Sequence, residues 1–252
     1  MHAPSPRLHR GGKYYDFIEV GTADHTTITH YCAQCQDSAS PVGSEIWSNL
    51  DDLHWAGGLA VDPVQEHLDA LPDLPRVHKV EAAMDEWSGK SKFHFVAPEN
   101  IRKHMGDYKA FFSNEPWSYP VDVMWFAGSL GSLRAPRPNL KYMLSNVGRL
   151  DLLEDKPVEV YDWARLCNTF EVRHVDVVQL DCEGKDCAIL RGLLRHYGDD
   201  WDLPRIIQFE ANHLTPDAEV DATVKSLCDR GYEVRYRSEL NIMVERHCKV
   251  IV

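Results

Sequence analysis

Residues 14–24, YYDFIEVGTAD, constrain this chain more than any other stretch. Tyr15, Phe17, Ile18 and Val20 form a short apolar run rich in β formers, closed by Glu19-Val20-Gly21. Such a run, bounded by a turn signal, reads as a strand buried on both faces. Gly21 permits a tight turn and lets backbone approach a ligand closely. Thr22, Asp24, Thr26 and Thr27 all suit the N-cap of a following helix. Strand, glycine turn, helix start and strand-end acid together resemble the nucleotide-site corner of a doubly wound α/β sheet. The pattern also suits any buried strand followed by any helix.

The chain has 252 residues, 44% of them hydrophobic, enough for one sizeable core. A net charge of -12 argues against a nucleic-acid backbone as the main partner. No apolar run reaches the roughly 18 residues of a membrane span. Residues 1–13 are polar and Pro/Gly-rich without an apolar h-region, so they read as a flexible tail and not a secretory signal. Seven scattered cysteines do not resemble a disulfide framework and fit a reduced, cytoplasmic setting. Cys32 and Cys35 form a CxxC, but no second pair follows at zinc-site spacing.

In chain order, Ile28–Gln36 reads as a helix, within or before an insertion near 32–58 that is rich in proline and glycine. Gly58–Asp62 is a second strand ending in an acid, and Pro63 suits the first position of a helix to about Leu71. Val77–Ala83 reads as a third strand, Asp85–Lys92 as a turn, and Phe93–Val96 as a short strand. Periodicity fades over an irregular region near 98–153, which carries Trp117 and Trp125. Long aromatic-bearing loops of this kind often cover ligands. Val158–Tyr161 is a short strand, and Asp162 caps a helix to about Phe170. His174–Leu180 is a strong strand leading through Asp181-Cys182-Glu183-Gly184 into a helix over Lys185–Tyr197. Arg205–Phe209 is a strand ending at Glu210, Asp217–Arg230 a helix closed by Gly231, and Tyr232–Tyr236 with Ile242–Glu245 a terminal antiparallel hairpin. The alternation predicts one α/β domain over residues 14–252 with a largely parallel sheet.

Four predicted strands finish in an acid: Glu19, Asp62, Asp181 and Glu210. In a parallel sheet the carboxyl ends share one edge, where ligands bind. Four acids there suit a ligand with hydroxyls, amines and a cationic centre. The motifs of dinucleotide-binding folds (GxGxxG), P-loop enzymes (GxxxxGK[ST]) and α/β-hydrolases (GxSxG) are absent.

DFIEVG at 16–21, AVDP at 60–63, Ala83-Met84-Asp85 ahead of Gly89, and above all VDVVQLDCEGKD at 175–186 with ILRG at 189–192 resemble the FkbM-type methyltransferases. Asp181, Glu183, Gly184 and Leu190–Gly192 match the family pattern D-x-EG-x-E … VL-x-G, with Asp186 near the place of its second Glu. The resemblance spans roughly residues 14–245 and is weakest in the middle third. It implies a Rossmann-like, class I fold: a mostly parallel seven-stranded sheet with a C-terminal antiparallel hairpin and helices on both faces. It implies S-adenosylmethionine as cofactor. Glu19 and Gly21 would flank its methionine part, with the backbone of Thr22 and Ala23 close by. Asp62, followed by Pro63, would hold the ribose hydroxyls, and Ala82 and Ala83 would border the adenine. Asp181 would lie beside the cofactor amine and the acceptor. The chain departs from the family at Asp24 and His25, which replace a small residue and a second glycine, and in the length of the insertion near 32–58.

The expected activity is O-methylation of a hydroxyl on a small molecule or sugar, with no nucleic-acid or membrane partner. The general-base candidates are Asp181, Glu183, Glu210 and His213. Helix capping explains Glu183 as well as catalysis does. Cys182, expected to point away from the ligand, and Cys187 read as packing residues. No metal is expected, because spacing fixes no third ligand beside the Asp181/Glu183 pair. A silent methyltransferase-like binding module and an NAD-dependent oxidoreductase remain alternative readings.

Overall fold

The computed structural model describes residues 12–22, 57–71, 77–100, 103, 131–146, 148–198 and 202–246. The expectations for residues 1–11, the helix near 28–36, the Cys32/Cys35 pair, Ala23, Asp24, His25, Trp117 and Trp125 lie outside them.

The strong apolar runs form the strands that their patterns predict. These are β1 (Lys13–Val20), β2 (Gly58–Asp62), β3 (Val77–Glu81), β8 (Val172–Leu180), β9 (Ile206–Glu210), β10 (Tyr232–Arg237) and β11 (Asn241–Arg246). Together they make a seven-stranded sheet in the order β3-β2-β1-β8-β9-β11-β10. The first five are mutually parallel, and the terminal hairpin β10–β11 adds on antiparallel to β9. The chain is therefore α/β, with a large, mostly parallel sheet.

Successive residues of the central strands enter opposite cores, as the period of two requires. Ile18, Leu59, Val61, Val178, Leu180, Ile207 and Phe209 pack beneath three helices: α3 (Trp163–Phe170), α4 (Asp186–Tyr197) and α5 (Asp217–Cys228). Phe17, Ala60, Val177 and Ile206 pack on the other face with Leu68 and Leu71, at helix α1 (Gln65–Ala70) and just past its end. The Asp162 side chain caps α3 by accepting from the Arg165 backbone N–H at 2.8 Å. Trp163, wholly buried, donates from Nε1 to the Ile189 carbonyl at 2.8 Å and so joins α3 to α4. An ionic clasp ties β8, β9 and β11: Arg205 grips Asp176 at 2.9 Å and Glu245 at 3.0 Å.

Several boundaries differ from expectation. The third strand stops at Glu81, because at Ala82 the chain leaves the sheet, its N–H donating to the Asp62 carbonyl at 3.1 Å. Ala83–Met84 is a separate strand, β4, in a second sheet of order β4-β7-β5-β6. In that sheet β5 spans Gly89–Val96, β6 Ser132–Leu133 and β7 Leu153–Tyr161. Residues 89–92, expected as turn, are thus strand, pairing antiparallel with β7. The region from 98 to 153 is not wholly irregular: it holds helix α2 (Pro138–Asn146), with Leu140 and Leu144 buried. Pro63 precedes α1 by two residues and is not its first position. Helix α4 starts at Asp186, and its N-cap, Lys185, makes no side-chain cap bond. Among the described residues no helix is long and apolar enough to cross a membrane.

Trp163→Ala should cost about 3–5 kcal/mol, the usual loss for a large buried aromatic, and lower the melting temperature by about 10 °C in a chain of this size. Thermal unfolding followed by circular dichroism measures it; a change below about 2 °C would contradict the packing described.

Candidate functional site

The carboxyl ends of β1, β2 and β8 leave the main sheet in direct contact. The Gly21 N–H donates to the Val61 carbonyl, and the Asp181 N–H to the Val20 carbonyl, both at 2.9 Å. Gly21 has a φ of 82°, and a Cβ there would lie 1.9 Å from the Asp181 carbonyl oxygen. Only glycine fits that space and that left-handed backbone.

Asp62, at the end of β2, is 2% exposed. One carboxylate oxygen accepts from the Thr22 backbone N–H at 2.9 Å and from the Thr22 hydroxyl at 3.3 Å. The other accepts from the Val64 N–H at 2.7 Å and lies 3.1 Å from His67 Nδ1. This carboxylate therefore fastens the turn after β1 to the start of α1.

A cavity opens over these strand ends. Its floor is Gly21, Asp62 and Asp181; Met84, Phe93 and Leu133 of the second sheet wall one side. Ala82 belongs to the main core and Ala83 to that of the second sheet, so the two alanines stand where the sheets part. Lys185, at the mouth, reaches Asp85 at 3.2 Å and links the turn after β8 to the turn after β4.

Beyond Asp181 the chain turns through two consecutive left-handed residues, Glu183 (φ 50°) and Gly184 (φ 84°). This turn brings Glu183 beside the end of β9: Asp181, Glu183 and Glu210 each present an oxygen within 4.8 Å of the others. Three carboxylates so close could hold a divalent cation; the third ligand comes from a neighbouring strand, which spacing alone does not reveal. Asp186, fully buried below, accepts from the backbone N–H groups of Cys182 and Glu210, and burial pushes its carboxyl up to about 6. Burial, reinforced by Asp181, Glu183 and Asp186, pushes Glu210 up to about 9. Arg137 donates to the Glu183 carbonyl, and its charge faces Glu183, Glu210 and Asp186.

No protein-family model matches the chain, and no curated protein matches its sequence.

Of the residues singled out from sequence, Gly21, Asp62, Pro63, Ala83, Asp181 and Glu183 line this cavity. Glu19, Thr22 and Ala82 are buried and do not line it. Glu210 joins Asp181 and Glu183 behind it, whereas His213 is exposed and is not among the lining residues. Cys182 does not point away as expected; it lines the cavity with its Sγ 3.4 Å from the Val20 carbonyl, because strand alternation has ended there. Burial pushes its thiol well above the usual range, and burial also raises that of Cys187, so both are packing groups. The sequence reading missed His67, Lys185 and Arg137. His67 had a local signal, since it stands five residues after the strand-end Asp62 on the helix that follows.

Glu210 binds a proton in the fold that the unfolded chain releases near its ordinary 4.5. Stability should therefore fall as pH rises from about 5 toward 9, and Asp186 adds the same sign below about 6. Glu210→Gln removes the larger contribution and should flatten the decline between pH 6 and 9, measured by urea unfolding at each pH. Parallel curves for parent and variant would contradict the placement of Glu210.

Proposed function

We propose that the protein is an S-adenosylmethionine-dependent, class I methyltransferase that methylates a hydroxyl of a small molecule or sugar. One observation carries this reading: Gly21, Asp62, Ala83 and Asp181 line one cavity at the carboxyl edge of a mostly parallel sheet. Those are residues that the FkbM resemblance assigns to the methionine part, the ribose, the adenine border and the amine. The antiparallel terminal hairpin and the helices on both sheet faces also accord with the resemblance. The cavity suits the cofactor's chemistry. Backbone at Gly21 can approach it closely, Met84 and Phe93 offer apolar surface to a flat base, and Asp181 offers negative charge to an amine or a sulfonium.

The bound cofactor supplies a methyl group already activated on a cationic sulfur, so the protein's task is alignment and proton removal. Asp181, exposed at the cavity floor, is the residue to accept the hydroxyl proton or to hold an amine. Burial and the neighbouring acids disfavour charge on Glu210, which makes it a less ready base than the exposed Asp181. His213, exposed and outside the lining, has no part in this scheme. Phe93 and Leu133, reaching over from the second sheet, exclude water from the reacting atoms.

S-adenosylhomocysteine should raise the melting temperature and NAD should not, because the strand-end acids suit an amine and a ribose while no glycine-rich pyrophosphate loop is present. Thermal shift at saturating ligand tests this; stabilisation by NAD alone would replace the methyltransferase reading with the oxidoreductase one.

A further inference from the structure

We infer that Lys185 binds the α-carboxylate of the cofactor's amino acid end, an inference that rests on the cofactor reading above. That end is a zwitterion: its ammonium has carboxylates to meet in this cavity, whereas its carboxylate needs a cation. Asp62, Asp181 and Glu183 line the cavity, and of the described lining residues only Lys185 carries an ammonium or guanidinium. A ligand carboxylate set among those acids without a cation would meet repulsion and lose its water uncompensated.

The turn after β8 puts the lysine where this contact can form. Beyond Asp181 the left-handed residues Glu183 and Gly184 fold the backbone back, and the Lys185 N–H donates to the Cys182 carbonyl at 3.2 Å. Asp181 and Lys185 therefore stand at the two ends of one tight turn, opposite charges for the ammonium and carboxylate that a single α-carbon bears. From there the Lys185 side chain crosses the mouth: its Nζ lies 3.2 Å from Asp85, the residue after the lining Met84. Asp85 is buried, and its other oxygen accepts the Glu86 N–H at 2.8 Å, so it is a fixed anchor. An ammonium has three donors; Asp85 takes one, and the side chain, 43% exposed, remains open to a ligand. Holding the lysine at the mouth before the ligand arrives lowers the ordering cost of the contact.

The test compares S-adenosylhomocysteine with its decarboxylated analogue, 5′-(3-aminopropylthio)-5′-deoxyadenosine, by titration calorimetry. Lys185→Met keeps the stem and removes the charge. It should weaken S-adenosylhomocysteine by about threefold to tenfold, the range for a half-exposed charged contact, and should not weaken the analogue. Because Lys185→Met leaves the buried Asp85 carboxylate without its cation, the double variant Lys185→Met/Asp85→Asn is measured as well and should show the same selective loss. In that double variant, equal losses for both ligands, or no loss for S-adenosylhomocysteine, overturn the inference and leave the cofactor reading standing. A parent protein that binds neither ligand overturns the cofactor reading itself, and this inference with it.

Discussion

The Asp181 carbonyl occupies the space that a side chain at position 21 would need. Everything at the site depends on this approach of β1 to β8. It holds the two central strands in register to their last residues, so that Val20 pairs with Leu180 and Asp181 bonds back to Val20. It leaves bare backbone at Gly21 on the cavity floor. It also delivers Asp181 to the centre of the carboxyl edge, with Asp62 on one side and Glu210 on the other. Without glycine at 21 the strands would have to part, and the cavity floor would part with them.

The cavity exists because the chain leaves the main sheet at Ala82. Alternate residues around that point serve different cores: Val80, Ala82 and Met84 the main one, Ala83 with Phe93, Val158 and Val160 the other. The second sheet thereby stands beside the strand ends as an apolar wall, while ion pairs cross the boundary from Lys185 to Asp85 and from Lys156 to Glu81. The exposed pair, Lys156–Glu81, adds little stability of its own. Lys185–Asp85 differs in having a buried carboxylate, which makes it the more consequential tie. Apolar wall and acidic floor thus meet in a single crevice.

The centre of the main sheet was legible because β2, β9 and the carboxyl halves of β1 and β8 are buried on both faces and appear as short apolar runs; β2 has the bounds its sequence predicts. The second sheet was not legible for the opposite reason. β5 begins Gly89-Lys90-Ser91-Lys92, residues that are half or fully exposed and imitate a turn, and its order comes from pairing with the distant β7, Gly89 opposite Val160 and Val96 opposite Leu153. β4 has two residues and no pattern at all. At the site, the acids at strand ends were readable from topology alone. What surrounds them was not: Asp62 accepts from Thr22, 40 residues distant, and Glu183 reaches Glu210 only through two left-handed residues. Arg137, which faces that acidic group, comes from a region whose sequence has no clear periodicity.

The central claim is that the crevice over β1, β2 and β8 receives an adenosyl cofactor. A crystal structure of the protein grown with S-adenosylhomocysteine tests it most directly. The account predicts the nucleoside between the end of β2 and the Ala83–Phe93 wall, with the amino acid end over Gly21 toward Asp181. Density for the ligand at any other place on the molecule, with this crevice filled by solvent, would contradict it.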